Sequence, residues 1–351
     1  MKKDDQLPGS IPFVMAGVTN TGVVNYVSNP VASFPANSIT VDIFGNTFYR
    51  NYAFGAGDDT GVYWNDSIDY SKSAMIFFAA AMQKALTGKF SYGKKLRSSQ
   101  SLNFKMKLPV EDGKIDFNFI EAFVAELETR RIVELEACRK AELETYLAVC
   151  GFDNYELSCE ECNVLQEYAN LEFDDFDVLD IFTVKNTSNI LSSETVKSSG
   201  EIPYLCASAE NNSVSSYIKY DEEFLEEGNC IFIGGKTFVV SYQEKDFFSN
   251  DSHNLALYLH CQDARTKLNQ LYIATCVYRS LAHQYSWGHS VSKAKIKSDK
   301  ISLPVKNGAP DYKVMKMFIS AIQKLVIQDV IRCNDQKIAA TKVVVSPRTG
   351  A

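Results

Sequence analysis

SIPFVMAGVTNTGVVNYV at residues 10–27 returns, altered but legible, as EIPYLCASAENNSVSSYI at 201–218. Outward from that pair, three more blocks recur in the same order. FGNTFY (44–49) matches GGKTFV (234–239), and FSYGKKLRSSQSLNFKMKLPV (90–110) matches YSWGHSVSKAKIKSDKISLPV (285–305). DGKIDFNFIEAFVAELE (112–128) then matches NGAPDYKVMKMFISAIQ (307–323). The displacement drifts only from 191 to 190 to 195 residues, so four blocks in register exclude coincidence. A period this long is far above the roughly 20–50 residues of a solenoid repeat, and it means two whole domains. The 351-residue length agrees.

Within each copy, short β-rich runs such as SITVDIF (38–44), NCIFIGG (229–235) and TFVVSY (237–242) alternate with Gly, Asn and Asp turns. SKSAMIFFAAAMQKAL (71–86) and TKLNQLYIATCVYRSLAHQY (266–285) have helical length and composition. Each copy ends in Leu-Pro-Val, a glycine turn and an amphipathic helix. Phe117, Ile120, Val124 and Leu127 line the first helix, which is expected to break at Thr129-Arg130-Arg131. Phe318, Ile322, Leu325 and Val326 help line the second (310–332), whose apolar face is wider than one partner helix needs. The expected boundaries are 1–111 (first module), 112–171 (helix and acidic helical linker, with Gly151 as a stop and Ser158 as an N-cap), 172–306 (second module), 307–336 (second helix) and 337–351 (tail). EFDDFDVLDIFTVKNTSNI (172–190) opens the second module, but the first has no counterpart. Either the chain is cut short there or another segment, with KIAATKVVV (337–345) as the candidate, fills the place.

The 46% apolar content excludes wholesale disorder. No apolar run is long enough for a membrane helix, and MKKDDQLPGSIPF has no apolar signal core. Nine cysteines without a regular framework suit a reducing, cytoplasmic setting. The net charge of −7 is segregated. Residues 84–107 hold seven Lys/Arg and no acid; 288–300 hold four Lys and His289 against Asp299; 153–180 hold ten acids and no base. A local basic run can bind phosphate whatever the distant sum, because screening limits the reach of charge to about 8 Å. A single such run is more often a solvated face, but two at matching repeat positions are harder to explain that way.

The combination of I-P-[FY], F-G-N-T-F-Y, Y-G-K-K-L and L-P-V before a D-[FY] helix resembles the specificity (S) subunits of type I restriction–modification systems, BcgI-like type IIB relatives included. The resemblance covers essentially the whole chain, and the tandem order is more specific than any single motif. It implies an α/β (α+β) tandem repeat: two target-recognition domains joined by long antiparallel helices that form a coiled-coil-like, pseudo-twofold spacer. It also implies a non-catalytic subunit that reads a bipartite, gapped site on double-stranded DNA and docks methyltransferase (modification) subunits, and restriction subunits where cleavage occurs. AdoMet would then sit on the partner methyltransferase, and Mg²⁺, with or without ATP, on a nuclease subunit. A 23-residue helix spans about 34 Å, one turn of B-DNA between half-sites. Divergence between the modules (Asn46 against Lys236, Tyr92 against Trp287) makes the expected site asymmetric. Two alternatives stand: a structural protein that occupies modification subunits without reading DNA, and the recognition part of a split methyltransferase or nuclease.

The residues expected to face DNA are Asn46 and Thr47 with Lys236 and Thr237 in the glycine loops, then Lys94, Lys95 and Arg97, and His289, Lys293, Lys295 and Lys297. The competing reading of each glycine loop is an ordinary β-turn. Tyr92 and Trp287 are expected to be core anchors. The apolar helix positions are expected to bind partner subunits. Enzyme-like signals fail: FGAGDDTG (54–61) has a glycine-free partner, FFSNDSHN (247–254), and no [NDS]-P-P-[YFW] tetrapeptide exists. Pro310-Asp311 and Asp335-Gln336-Lys337 flank a single helix, which cannot supply the strand pair a nuclease needs around Mg²⁺. Cys159 and Cys162 lack a second correctly spaced pair for zinc, and no histidine has nucleophile or ligand spacing.

Overall fold

The computed structural model describes residues 5–97, 100 and 103–345; residues 98, 99, 101 and 102 of the basic stretch and 346–351 of the tail lie outside the described residues. The chain divides into two units, Met1–Cys138 with Lys337–Ala351 and Arg139–Gln336.

Unit 1 begins with strands β1 (Pro8–Val14), β2 (Val23–Val27), β3 (Ser33–Phe34), β4 (Ser38–Asp42), β5 (Thr47–Arg50), β6 (Phe54–Ala56) and β7 (Thr60–Tyr63). One sheet has the order β2-β1-β6-β3, with β6 parallel to β1; the other is β5-β4-β7, fully antiparallel. β4 is central because its side chains are buried along its whole length, which β-branched Ile39, Thr40 and Val41 suit. Helix α1 (Lys72–Leu86) starts where Ser71 Oγ accepts the Ala74 N–H, and its buried Ala74, Met75, Phe78 and Leu86 pack on Ile39 and Val41. A two-stranded ribbon, β8 (Val110–Glu111) with β9 (Lys114–Ile115), leads into helix α2 (Phe117–Cys150).

Unit 2 contains helix α3 (Cys159–Glu167), opened by a capping box between Ser158 and Glu161, followed by β10 (Phe173–Asp177), the single turn α4 (Val178–Ile181) and β11 (Phe182–Asn186). Then come β12 (Ile202–Leu205), β13 (Val214–Ile218), β14 (Cys230–Ile233), β15 (Val240–Gln243), β16 (Phe248–Ser249) and β17 (Leu255–Leu259). Helix α5 (Lys267–Leu281), capped by Thr266, the turn α6 (Lys293–Ile296), β18 (Lys300–Lys306), β19 (Ala309–Pro310) and helix α7 (Tyr312–Val345) complete the order. The sheets are β13-β12-β16 and β11-β17-β14-β15, with β10-β18-β19 beside them. The sequence repeat is therefore a structural one: β1, β2 and β6 correspond to β12, β13 and β16, and β4, β5 and β7 to β14, β15 and β17. The 15-residue α1 corresponds to the 15-residue α5. β10, α4 and β11 have no counterpart among the described residues of unit 1.

Three helix expectations change. No break occurs at 129–131, because Thr129 Oγ1 donates back to the Ala125 carbonyl and Arg130 pairs with Glu126 one turn earlier, leaving nothing unsatisfied. The helix expected over 310–332 continues to Val345. The 337–345 segment is thus helical and does not supply a missing strand; it belongs to unit 1, where Lys342 pairs with Glu136 at 2.7 Å. In unit 2 the equivalent tie is Arg139 to Asp335 at 2.5 Å. Asp335 is thereby engaged as a helix surface residue. Gly151, at φ +70°, ends α2 as expected.

Candidate nucleic-acid interface

In both units the same three loops meet. The loop after β4 is shaped around Asp42, 4% exposed, whose carboxylate accepts the N–H groups of Phe44 and Asn46, the Asn46 side-chain amide at 2.7 Å, and the Gly17 N–H from the β1–β2 loop. Gly45 adopts φ +87°, and a Cβ there would stand 3.2 Å from Leu86 Cβ, so the loop lies close on the end of α1. Thr47 is buried, its N–H donating to Gln83 Oε1 and its hydroxyl to the Gly45 carbonyl. Asn46 and Thr47 therefore hold the loop's shape. The Leu96 N–H donates to the Ile43 carbonyl at 2.8 Å, tying the glycine loop to the turn Ser91-Tyr92-Gly93-Lys94.

Unit 2 repeats the plan with other side chains. The Val291 N–H donates to the Gly235 carbonyl at 3.1 Å, tying the Gly234-Gly235-Lys236-Thr237 loop to the turn Ser286-Trp287-Gly288-His289. Thr237 Oγ1 donates to the Ala207 carbonyl of the β12–β13 loop, and a Cβ on Gly234 would stand 2.6 Å from Ala207 Cβ. Lys236 forms an ion pair with Asp251 at 2.7 Å. Burial opposes ionisation of Asp251, but the Lys236 ammonium and hydrogen bonds from His253 outweigh it and hold its carboxyl down at about 2.

Each turn is closed by a reciprocal backbone pair, Ser91 with Lys94 and Ser286 with His289. A two-residue tip cannot turn its side chains inward, so Tyr92 is 84% and Trp287 79% exposed. The core role expected for these aromatics is wrong; the buried anchors are their neighbours Leu96 and Val291. Lys94, Arg97 and His289 are exposed, and the Lys95 ammonium sits 5.2 Å from the Tyr92 ring centre. Lys293, Lys295 and Lys297 are exposed on and just after α6, while Ile296 anchors that turn in the core. The β1–β2 and β12–β13 loops were missed from sequence. Each carries consecutive residues at positive φ, Asn20-Thr21 and Asn211-Asn212, that present exposed amide and hydroxyl side chains. The Asn-rich matching of TNTG with NNS was the available signal.

A model of the family described as "Type I restriction modification DNA specificity domain" matches residues 1–137 and 170–332. The chain belongs to this family. The two matched stretches are the two copies of the repeat, so the converging loops are features of a DNA specificity domain. The chain is also similar to the "Type II restriction enzyme BgcI specificity subunit S.BcgI" of Heyndrickxia coagulans, 28% identical over 144 residues. That match covers 39% of this chain and 42% of the relative, so less than half of the relative's length is spanned. Among solved structures, the type I system S subunit from M. genitalium is 12% identical with a TM-score of 0.43, over 98% of this chain and 89% of that one. The HsdS subunit from Thermoanaerobacter tengcongensis is 10% identical with a TM-score of 0.43, over 97% and 87%.

Of the apolar helix positions of this specificity-family chain, Ile120 and Val124 are buried and Phe318 stacks on Tyr168 with ring centres 4.0 Å apart. Leu127, Ile322 and Val326 stay exposed, at 45%, 37% and 58%, and Phe117, 38% exposed, stacks on Tyr70. Among the described residues no helix is long and apolar enough to cross a membrane.

Proposed function

We propose that this chain is the non-catalytic, DNA-reading subunit of a restriction–modification complex, with each unit reading one half of a gapped, asymmetric site. The observation that carries this reading is the recurrence, in both units, of a glycine loop tied by one backbone hydrogen bond to an exposed aromatic-glycine turn bordered by cations. Exposed aromatic rings, amides and hydroxyls suit base contacts; the lysines suit phosphate. The loops differ in side chain at matched positions, which supports two different half-sites. The exposed Leu127 of unit 1 and, separately, Ile322 and Val326 of unit 2 are the positions proposed to dock methyltransferase subunits, which bring AdoMet and extrude the target base. Nuclease subunits, with Mg²⁺ and with or without ATP, would join where cleavage occurs.

The test uses the chain co-purified with its methyltransferase. Lys94→Ala with Lys95→Ala should leave assembly intact, weaken duplex binding across sequences and lower the salt slope of log K by about 2, roughly 0.9 per phosphate contact. Unchanged affinity and slope would sink the assignment of this face. Assembly without any duplex binding by the parent complex would favour a subunit that occupies the methyltransferase without reading DNA.

A further inference from the structure

The tips of the β1–β2 and β12–β13 loops share one backbone path. Asn20 and Thr21 adopt φ +46° and +54°, and Asn211 and Asn212 adopt +47° and +52°. Left-handed backbone at two successive non-glycine residues is uncommon, and asparagine tolerates it better than most. In each tip the first asparagine is fixed twice. The Val23 N–H donates to the Asn20 carbonyl, and Asn20 Nδ2 donates to the Val23 carbonyl; Val214 and Asn211 make the same two bonds. From below, buried Arg50 and Gln243 hold the carbonyl of the next residue, Thr21 or Asn212. The first amide of each tip is therefore held in place while both asparagines stay exposed. Among the described residues, Oδ1 and the second Nδ2–H of each have no partner.

We propose that Asn20 and Asn211 each read one adenine, so that the two half-sites, different elsewhere, share that base at equivalent places. This rests on the DNA reading proposed above and names what one loop of each unit recognises. Residues 15–22 and 206–213 contain no Lys or Arg, and Glu210 is exposed at the second tip. A phosphate finds no cation there and, in unit 2, a carboxylate that repels it, so the tips suit base edges. A carboxamide offering an acceptor beside a donor matches the N6 amino group and N7 of adenine on the major-groove edge. That groove also admits a two-stranded antiparallel ribbon, which is what β1–β2 and β12–β13 are. Of the four exposed residues at each tip, Val18-Thr19-Asn20-Thr21 and Ala209-Glu210-Asn211-Asn212, only the first asparagine is common to both. The neighbours differ, as residues facing unlike bases would.

The experiment selects duplexes from a random pool with the chain co-purified with its methyltransferase, then replaces the shared adenine by 7-deazaadenine, which still pairs but lacks N7. The parent complex should select an adenine at the equivalent place of each half-site, and 7-deazaadenine at either should weaken binding about tenfold. Asn20→Gly keeps the left-handed backbone and removes the amide. It should relax selection at one adenine and bind normal and 7-deaza duplexes equally there. It should still lose about tenfold at the other half-site, which reports that the variant is folded. Asn211→Gly should give the mirror result. The salt slope should not change in either variant, because no phosphate contact is lost. Selection unaltered by both variants, a shared base other than adenine, or a uniform fall across sequences with a smaller salt slope overturns the proposal and leaves the DNA reading standing. A parent complex that selects no sequence overturns the DNA reading itself, and this proposal with it.

Discussion

The two units share strand order, capped helix and loop plan, yet one is closed and the other is open. In unit 2, β14 and β17 are buried along their whole length, because β11 lies outside β17 and β10 covers β18. In unit 1 the corresponding β7 is only partly buried, and 104–109 forms no strand. The loops that meet at the candidate interface are nonetheless built alike in both. Local loop geometry depends on contacts within each β4–α1 or β14–α5 layer, and closure of the core depends on a segment added from outside that layer.

The largest test removes the closing side chain. Phe182→Ala should destabilise unit 2 by about 3–5 kcal/mol. Unit 1 should be untouched, giving two separated unfolding transitions by hydrogen exchange. A loss shared by both units would mean that the closing segment is not local to unit 2. Next comes the peg that holds the positive-φ loop. Arg50, 1% exposed, donates to the Thr21 carbonyl from β5, and Gln243 donates to the Asn212 carbonyl from the same place on β15. Arg50→Ala should cost about 1.5–3 kcal/mol and Arg50→Gln clearly less, because Gln already serves in unit 2. Trp64 fluorescence in a Trp287→Phe background reads unit 1 alone; equal losses for both variants would break the equivalence.

A smaller effect is expected at the turn tips. Trp287→Ala and Tyr92→Ala should each weaken specific duplex binding by about 1–2 kcal/mol, within the range for base contacts, while the melting temperature barely moves. If only Trp287→Ala matters, unit 2 is the sole reader. The smallest concerns the loop carboxylates, Asp42 holding Asn46 and Asp251 holding Lys236. Asp251 is depressed from the ordinary 3.8 to about 2, so its stabilising contribution is complete above pH 3.8 and is lost as pH falls through 2. Lys236→Ala should move the carboxyl back toward 3.8 in an NMR titration, at a cost below about 1 kcal/mol at neutral pH for so exposed a pair. A carboxyl that stays near 2 would credit His253 instead.

Much of this was legible beforehand, where the determinants are local. The four repeated blocks marked two modules of one design, and the Ser158 cap and Gly151 stop were readable. Side-chain patterning and capping act within a few residues, so sequence carries them directly. Only the tertiary structure decided that Tyr92 and Trp287 project outward, that Thr47 is buried while Lys236 and Thr237 are not, and that 337–345 continues as helix. It also brought the β1–β2 and glycine loops together through Asp42. Each of these turns on what lies across a layer from the residue, a distance in space that the order of the chain does not encode.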